Sequence, residues 1–173
     1  MTKKDFLNTV ANAKEDIIQI FLDALSKIVV DYCVIGGLAV NAYAEPVVSL
    51  DLDIVVVMDD IDKVCSAVEC HFNIERFEHS VNLSSSKSDL RIQLQTDLRY
   101  QDFIKRASIH NVLGYEMKVA EVEDVLKGKI WAYLDEQRRK SKRQKDLADI
   151  MRLIEVYPSL INQVPNSLRE KIE

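Results

Sequence analysis

Residues 32–57, YCVIGGLAVNAYAEPVVSLDLDIVVV, decide how this chain is read. They predict a strand, a glycine turn, a short helix, a second turn and a second strand. The apolar run through Val34 and Ile35 stops at Gly36-Gly37. Leu38 to Ala44 is compatible with a helix until Glu45-Pro46, because proline disfavours helical geometry in the residue before it. In Asp51-Leu52-Asp53-Ile54 the alternation of a strand sets Asp51 and Asp53 on one face and Leu52 and Ile54 on the other. The two carboxylates then lie about 7 Å apart along the strand. Like charges opening an apolar strand raise the free energy of the fold unless a cation neutralises them. Oxygen ligands alone suit Mg²⁺ or Mn²⁺.

Gly36 and Gly37 supply a complementary half. Without a Cβ they let a ligand reach the backbone, and a following helix offers free N–H groups to a phosphate. Taken singly, a Gly-Gly turn is common and an Asp-x-Asp at a strand start is often a solvated strand end. In this order, a metal on Asp51 and Asp53 beside a phosphate on Gly36 and Gly37 describes a nucleoside triphosphate site.

The pairing of Gly36-Gly37 with Asp51-Leu52-Asp53 between hydrophobic residues resembles the signature of the nucleotidyltransferase superfamily, with its DNA polymerase β-like palm. Glu123-Asp124-Val125-Leu126 with Lys129, followed by Lys145-Asp146-Leu147-Ala148-Asp149-Ile150, resembles the AbiEii-type members, many of them toxins of type IV toxin–antitoxin systems. The resemblance spans residues 32–154. It implies an α/β (α+β) fold with a palm-like core and a short mixed sheet in 31–120; length, composition and hydrophobic pattern extend this to one domain over 1–173, with an N-terminal helix in 1–30 and helices in 121–173. The resemblance implies a transfer of NMP from an NTP to a hydroxyl on tRNA, a protein or a small molecule. Asp51 and Asp53 would hold Mg²⁺ or Mn²⁺, Gly36, Gly37 and Ser49 would contact the nucleotide, and Lys129, Lys145, Asp146 and Asp149 would line the catalytic cleft. A cognate toxin or antitoxin is a further partner class.

The chain departs from that pattern at one strand. The superfamily's third carboxylate sits mid-strand between hydrophobic residues, and the matching run, Arg91-Ile92-Gln93-Leu94, has Gln93 there. An amide oxygen can ligate a metal weakly, but it brings no charge and takes no proton. Asp89 and Asp97 lie on the face of Gln93 and are the acids nearest to replacing it. Ser49 stands at a usual threonine position and Val47 where relatives often carry a basic residue. Two readings stay open: an active metal-dependent transferase, or a degenerate member that binds nucleotide or a partner without turnover.

Elsewhere the patterns are structural. Phe6, Val10, Ile17, Phe21, Leu25 and Ile28 recur at helical spacing and predict one amphipathic helix over 5–28. A helix from Asp59-Asp60 to about Cys70 follows the acidic strand, then strands over 73–78 and 90–96 joined by a polar loop over 82–88. Leu113-Gly114 signals a hairpin. From Glu121 the period is helical, with Lys129 inside the stripe of Val122, Val125, Leu126, Ile130 and Tyr133. Its stem either snorkels past the core to water or points into the cleft toward a carboxylate or triphosphate.

The run 138–145, Arg138 to Lys145, is basic and reads as a solvated loop between helices or as a contact for tRNA backbone or nucleotide phosphates. Beyond it, Leu147, Ile150, Met151 and Ile154 define a core face, with Lys145 and Asp149 as an i, i+4 pair on the flank. Residues 158–173 predict a last polar helix.

At 173 residues, 47 % of them hydrophobic, the chain can bury a core without staples. Its net charge of −5 argues against a general nucleic-acid coat. Three cysteines without C-x-x-C spacing suggest neither a disulfide framework nor a zinc site. The three histidines lack the spacing of a metal site or a catalytic triad. With no signal-type apolar segment and no stretch of membrane-spanning length, the expected location is the cytoplasm and no membrane partner is expected.

Overall fold

The computed structural model describes residues 1–172. Two helices open the chain, α1 (Lys3–Val10) and α2 (Ile17–Ile28), where the hydrophobic spacing predicts one. Asn12 adopts the left-handed conformation with φ 48°, which asparagine tolerates better than most residues. Asp16 then caps α2 by accepting from the Gln19 N–H. The break changes which side chains face inward: Leu7 is buried, whereas Phe6 and Val10 are exposed.

After α2 come β1 (Tyr32–Ile35), α3 (Gly36–Val40), β2 (Asp51–Val56), α4 (Ile61–Val68), β3 (Asn73–Arg76), β4 (Ser80–Ser85), β5 (Ser88–Gln95), α5 (Phe103–Arg106), β6 (Ser108–Val112) and β7 (Tyr115–Val119). The strands form one seven-stranded sheet in the order β3-β4-β5-β2-β1-β7-β6. Two neighbour pairs, β2 with β5 and β1 with β7, are parallel and the others antiparallel. The expected mixed sheet is therefore present, with β2 fourth of the seven strands. Leu52, Ile54 and Val56, on the face opposite the aspartates, are completely buried, as is Val55 next along the acidic face, so β2 is anchored in the core.

The polar segment 82–88, read from sequence as a loop, is mostly strand. Val81 and Leu83 point into the core on either side of Asn82, which is strand alternation disguised by the serines that follow. Only Ser86-Lys87 turns the chain from β4 to β5. The hairpin between β6 and β7 forms at the predicted place: Leu113 and Gly114 both have positive φ, 52° and 91°, as a two-residue primed turn requires.

The remainder is helical: α6 (Val122–Leu134), α7 (Lys140–Val156), a 3₁₀ segment Pro158–Gln163 and α8 (Asn166–Arg169). The basic run is thus not a loop, because α7 begins at Lys140 and includes most of it; Lys, Arg and Gln are good helix formers and nothing in the run breaks a helix. The buried face of α7 carries Asp146, Ile150 and Leu153, so it is rotated from the Leu147, Ile150, Met151 and Ile154 stripe toward a charged residue. The last predicted helix is divided at Val164-Pro165, where proline ends one piece and starts the next. Among the described residues no helix is long and apolar enough to cross a membrane.

Candidate functional site

The antiparallel pairing of β1 with β2 sets Ile35 opposite Asp53, so the glycine turn that follows Ile35 falls beside the acidic end of β2. Gly36 is required there twice over. Its φ is 73°, and a Cβ on it would collide with Oδ2 of Asp53. Gly37 has ordinary clearance: a Cβ would rest 3.7 Å from Ser49 Oγ and 3.9 Å from Asp149 Oδ2. α3, which follows, has only five residues, so the helix end expected to favour a phosphate is a weak dipole. The Ser49 hydroxyl lies 3.3 Å from both the N–H and the carbonyl of Asp51 and fixes the entry into β2.

Asp51 and Asp53 share a face but not an environment. The Lys142 ammonium donates to Asp51 Oδ2 at 3.0 Å, and Arg91 lies 3.2 Å from Oδ1. Burial works against the charge on Asp51, but Lys142, Arg91 and Lys145 outweigh it and hold the carboxyl below its ordinary range. The Asp53 carboxylate has no hydrogen bond or ion pair among the described residues, and desolvation raises its pKa despite the opposing charge of Lys129. Gln93 is its neighbour across the parallel β2–β5 pair, and Asn82 is the neighbour of Gln93 across β5–β4. A polar row Asp53–Gln93–Asn82 therefore crosses the sheet at the floor of the cleft.

Lys129 does not snorkel to water. It is 7 % exposed, and its ammonium lies 2.7 Å from Asp149 and 3.0 Å from Asp146. Burial disfavours the ammonium, yet the two carboxylates more than compensate and raise its pKa. Arg138 reaches Asp146 at 2.7 Å and Arg152 reaches Asp149 at 2.7 Å, which completes a network that ties α6 to α7. The predicted Lys145–Asp149 surface pair is not formed, because Asp149 takes Lys129 and Arg152 instead. Lys145 lines a recess of about 50 Å³ with Gly37, Ser49, Asp149 and Arg152.

A wider cavity of about 290 Å³ opens on the other side of the carboxylates, lined by Asn82, Gln93, Gln95, Tyr100, Arg138 and Arg139 among others. Burial pushes the Tyr100 phenol up to about 12, so it stays protonated at neutral pH and able to donate. The two acids considered as substitutes for Gln93 are committed elsewhere: Asp89 accepts from the Asn12 amide at 2.6 Å, and Asp97 from the Arg99 backbone and guanidinium.

Sequence reasoning missed Arg91, Arg138, Lys142 and Arg152 as individual members of the site. One signal was available: Lys142, Lys145, Asp146 and Asp149 recur at three-, four- and seven-residue offsets, which places them along one flank of a helix.

Among the described residues no group of three or more His, Cys, Asp or Glu side chains comes together as a metal site. Two carboxylates nevertheless fit Mg²⁺, which commonly takes one or two carboxylates and fills its shell with substrate phosphates and water. The unpartnered carboxylate of Asp53 beside Asp51 is the donor set such an ion needs.

No family model and no curated relative matches the sequence. Solved structures do match its shape. The antibiotic-resistance factor ANT(2″)-Ia, in complex with adenylyl-2″-tobramycin, superposes with a TM-score of 0.64 at 14 % identity, over 91 % of this chain and 97 % of that one. The lincosamide antibiotic adenylyltransferase LnuA, bound to lincomycin, gives 0.57 at 15 % identity over 82 % and 99 %. The chain has the nucleotidyltransferase fold. An antigenic nucleotidyltransferase-like protein from Paracoccidioides brasiliensis gives 0.53 at 19 % identity over 89 % and 78 %. At these identities the likeness is one of architecture. In this example of the nucleotidyltransferase fold the paired aspartates stand on the central strand, and the strand beside them carries Gln93.

Proposed function

We propose that the protein transfers an NMP from an NTP to a hydroxyl acceptor, which includes tRNA, protein and small-molecule acceptors, with Mg²⁺ or Mn²⁺ held by Asp51 and Asp53. One observation carries the reading: the glycine turn, the two acids of β2 and the lysines of α7 converge on one cleft from three separate parts of the chain. In this reading Gly37, Ser49 and Lys145 receive the triphosphate, Lys142 exchanges Asp51 for a phosphate oxygen, and Lys129 with Arg138 fixes the rear wall. When bound, the divalent ion neutralises the aspartates and the charge that develops on the α-phosphate. The acceptor oxygen bonds to the α-phosphorus as the bond to the bridging oxygen breaks, pyrophosphate leaves, and the hydroxyl proton passes to water.

Support for nucleotide chemistry comes from the fold and from this clustering of cations and glycines around acids. Calorimetry with ATP and Mg²⁺ on wild type and Asp53→Ala tests it: the variant should bind at least tenfold more weakly, and equal binding would remove the site. A second reading, nucleotide binding without turnover, is favoured by one specific observation, Gln93 in register with Asp53. Glutamine supplies neither the negative charge nor the base of a third carboxylate.

A further inference from the structure

The cleft has two lobes that meet at Asp51 and Asp53. Most cations in it already have an ion-pair partner: Arg91 and Lys142 share Asp51, Lys129 lies between Asp146 and Asp149, Arg138 pairs with Asp146, and Arg152 with Asp149. Two lining cations have no ion-pair partner among the described residues, one in each lobe. Lys145 stands in the glycine-lined recess and suits a triphosphate. Arg139 stands in the wider lobe, at the N-cap of α7.

The wider lobe differs chemically from the recess. Apart from the acids of the central cluster, its lining contains no carboxylate; Asn82, Gln93 and Gln95 supply amides and Tyr100 a phenol. The side-chain oxygen of Asn82, a residue of this lining, is buried without a hydrogen-bond partner, so the amide row beside the cavity has unused hydrogen-bonding capacity. A polycationic aminosugar would find no acid of its own there and would face Arg139. The volume of about 290 Å³ is at the small end of ligand sites.

We propose that this lobe binds the acceptor and selects a small hydroxyl compound bearing an anionic group, phosphate or carboxylate, with Arg139 on the anion and the lining amides of Asn82, Gln93 and Gln95 on its hydroxyls. This rests on the nucleotidyl-transfer reading above. The hydroxyl oxygen of that compound bonds to the α-phosphorus, pyrophosphate departs and the proton goes to water.

The test uses the full chain, each α-³²P-labelled NTP with Mg²⁺, and a cell extract separated into anionic, neutral and cationic small-molecule fractions and an RNA fraction. Glucose 6-phosphate, gluconate, glucose and tobramycin serve as defined probes of phosphate, carboxylate, neutral and cationic chemistry. Label should enter the anionic fraction. Arg139→Gln should raise the amount of that fraction needed for half-maximal transfer about tenfold, as loss of one charge-assisted hydrogen bond predicts, with the NTP requirement unchanged and partial recovery in Arg139→Lys. Label confined to cationic, neutral or RNA fractions, or acceptor dependence unaltered in Arg139→Gln, would overturn the acceptor assignment and leave nucleotidyl transfer standing. Absence of label in every fraction would instead remove the transfer reading, and this inference with it.

Discussion

The Lys142 ammonium lies 3.0 Å from the carboxylate of Asp51, across 91 residues of chain. A lysine thus occupies one oxygen of an acid proposed to hold metal, and the two cations compete. Lys142→Ala should therefore bind Mn²⁺ alone more tightly, by a factor of about 3 to 10 as expected for removal of a half-buried ion pair. The same variant should bind ATP with Mg²⁺ less tightly, since a phosphate partner is gone. Titration of each ligand separately checks both signs.

Lys129 is the hub of the α6–α7 network, and removing it leaves Asp146 and Asp149 with one partner each, Arg138 and Arg152. Breaking a buried pair on one side costs about 3 kcal/mol or more. Lys129→Met should lower Tm by about 6–12 °C, at 2–4 °C per kcal/mol for a chain of this size. A scan showing no loss would mean that Lys129 is not held as the geometry indicates.

Burial raises the Asp53 pKa in the folded state, so ionising this carboxyl costs stability. A carboxyl with a raised folded pKa destabilises the native state above that pKa, and the penalty disappears as pH falls below the unfolded value of about 3.9. In chelator, Asp53→Asn should melt a few degrees higher than wild type at pH 7 and lose that advantage as pH approaches 4. Asp51 behaves oppositely: its lowered pKa contributes stability above the unfolded value, lost as pH falls through the folded one. Melting curves of both Asn variants across pH 3.5–8 separate the two aspartates.

Val29 closes α2 in the left-handed conformation, φ 54° and ψ 57°, while 86 % exposed. A β-branched residue there is strained by about 1–2 kcal/mol and glycine is not. Val29→Gly should raise Tm by about 2–4 °C without altering nucleotide binding. A lower Tm would show that the strain is absent.

Local signals carried much of the architecture. The 32–57 stretch was legible because its turn, proline and alternation all agree, and Lys129 was conspicuous because a charge interrupts an apolar stripe. What stayed hidden depends on distant partners. Nothing near Asp51 announces Lys142 or Arg91, whose approach is set by the β2–β5 register and the packing of α7. The break after α1 was hidden because the hydrophobic spacing runs on across Asn12. β4 was hidden because three serines and an asparagine mask two inward residues. The rotated face of α7 followed from Asp146 being buried against Lys129, which a hydrophobic stripe cannot reveal.

Gln93 beside Asp53 makes the central claim measurable, because a third carboxylate can be restored at a known position. The decisive measurement is label transfer from each α-labelled NTP, with Mg²⁺ or Mn²⁺, into tRNA and cell extract by wild type, Asp51→Ala and Gln93→Asp. The account predicts measurable transfer by wild type, its loss in Asp51→Ala, and an increase in Gln93→Asp, since a positioned base is worth a factor of about 10² to 10⁴. Silence from both wild type and Gln93→Asp, or transfer that survives Asp51→Ala, would contradict it.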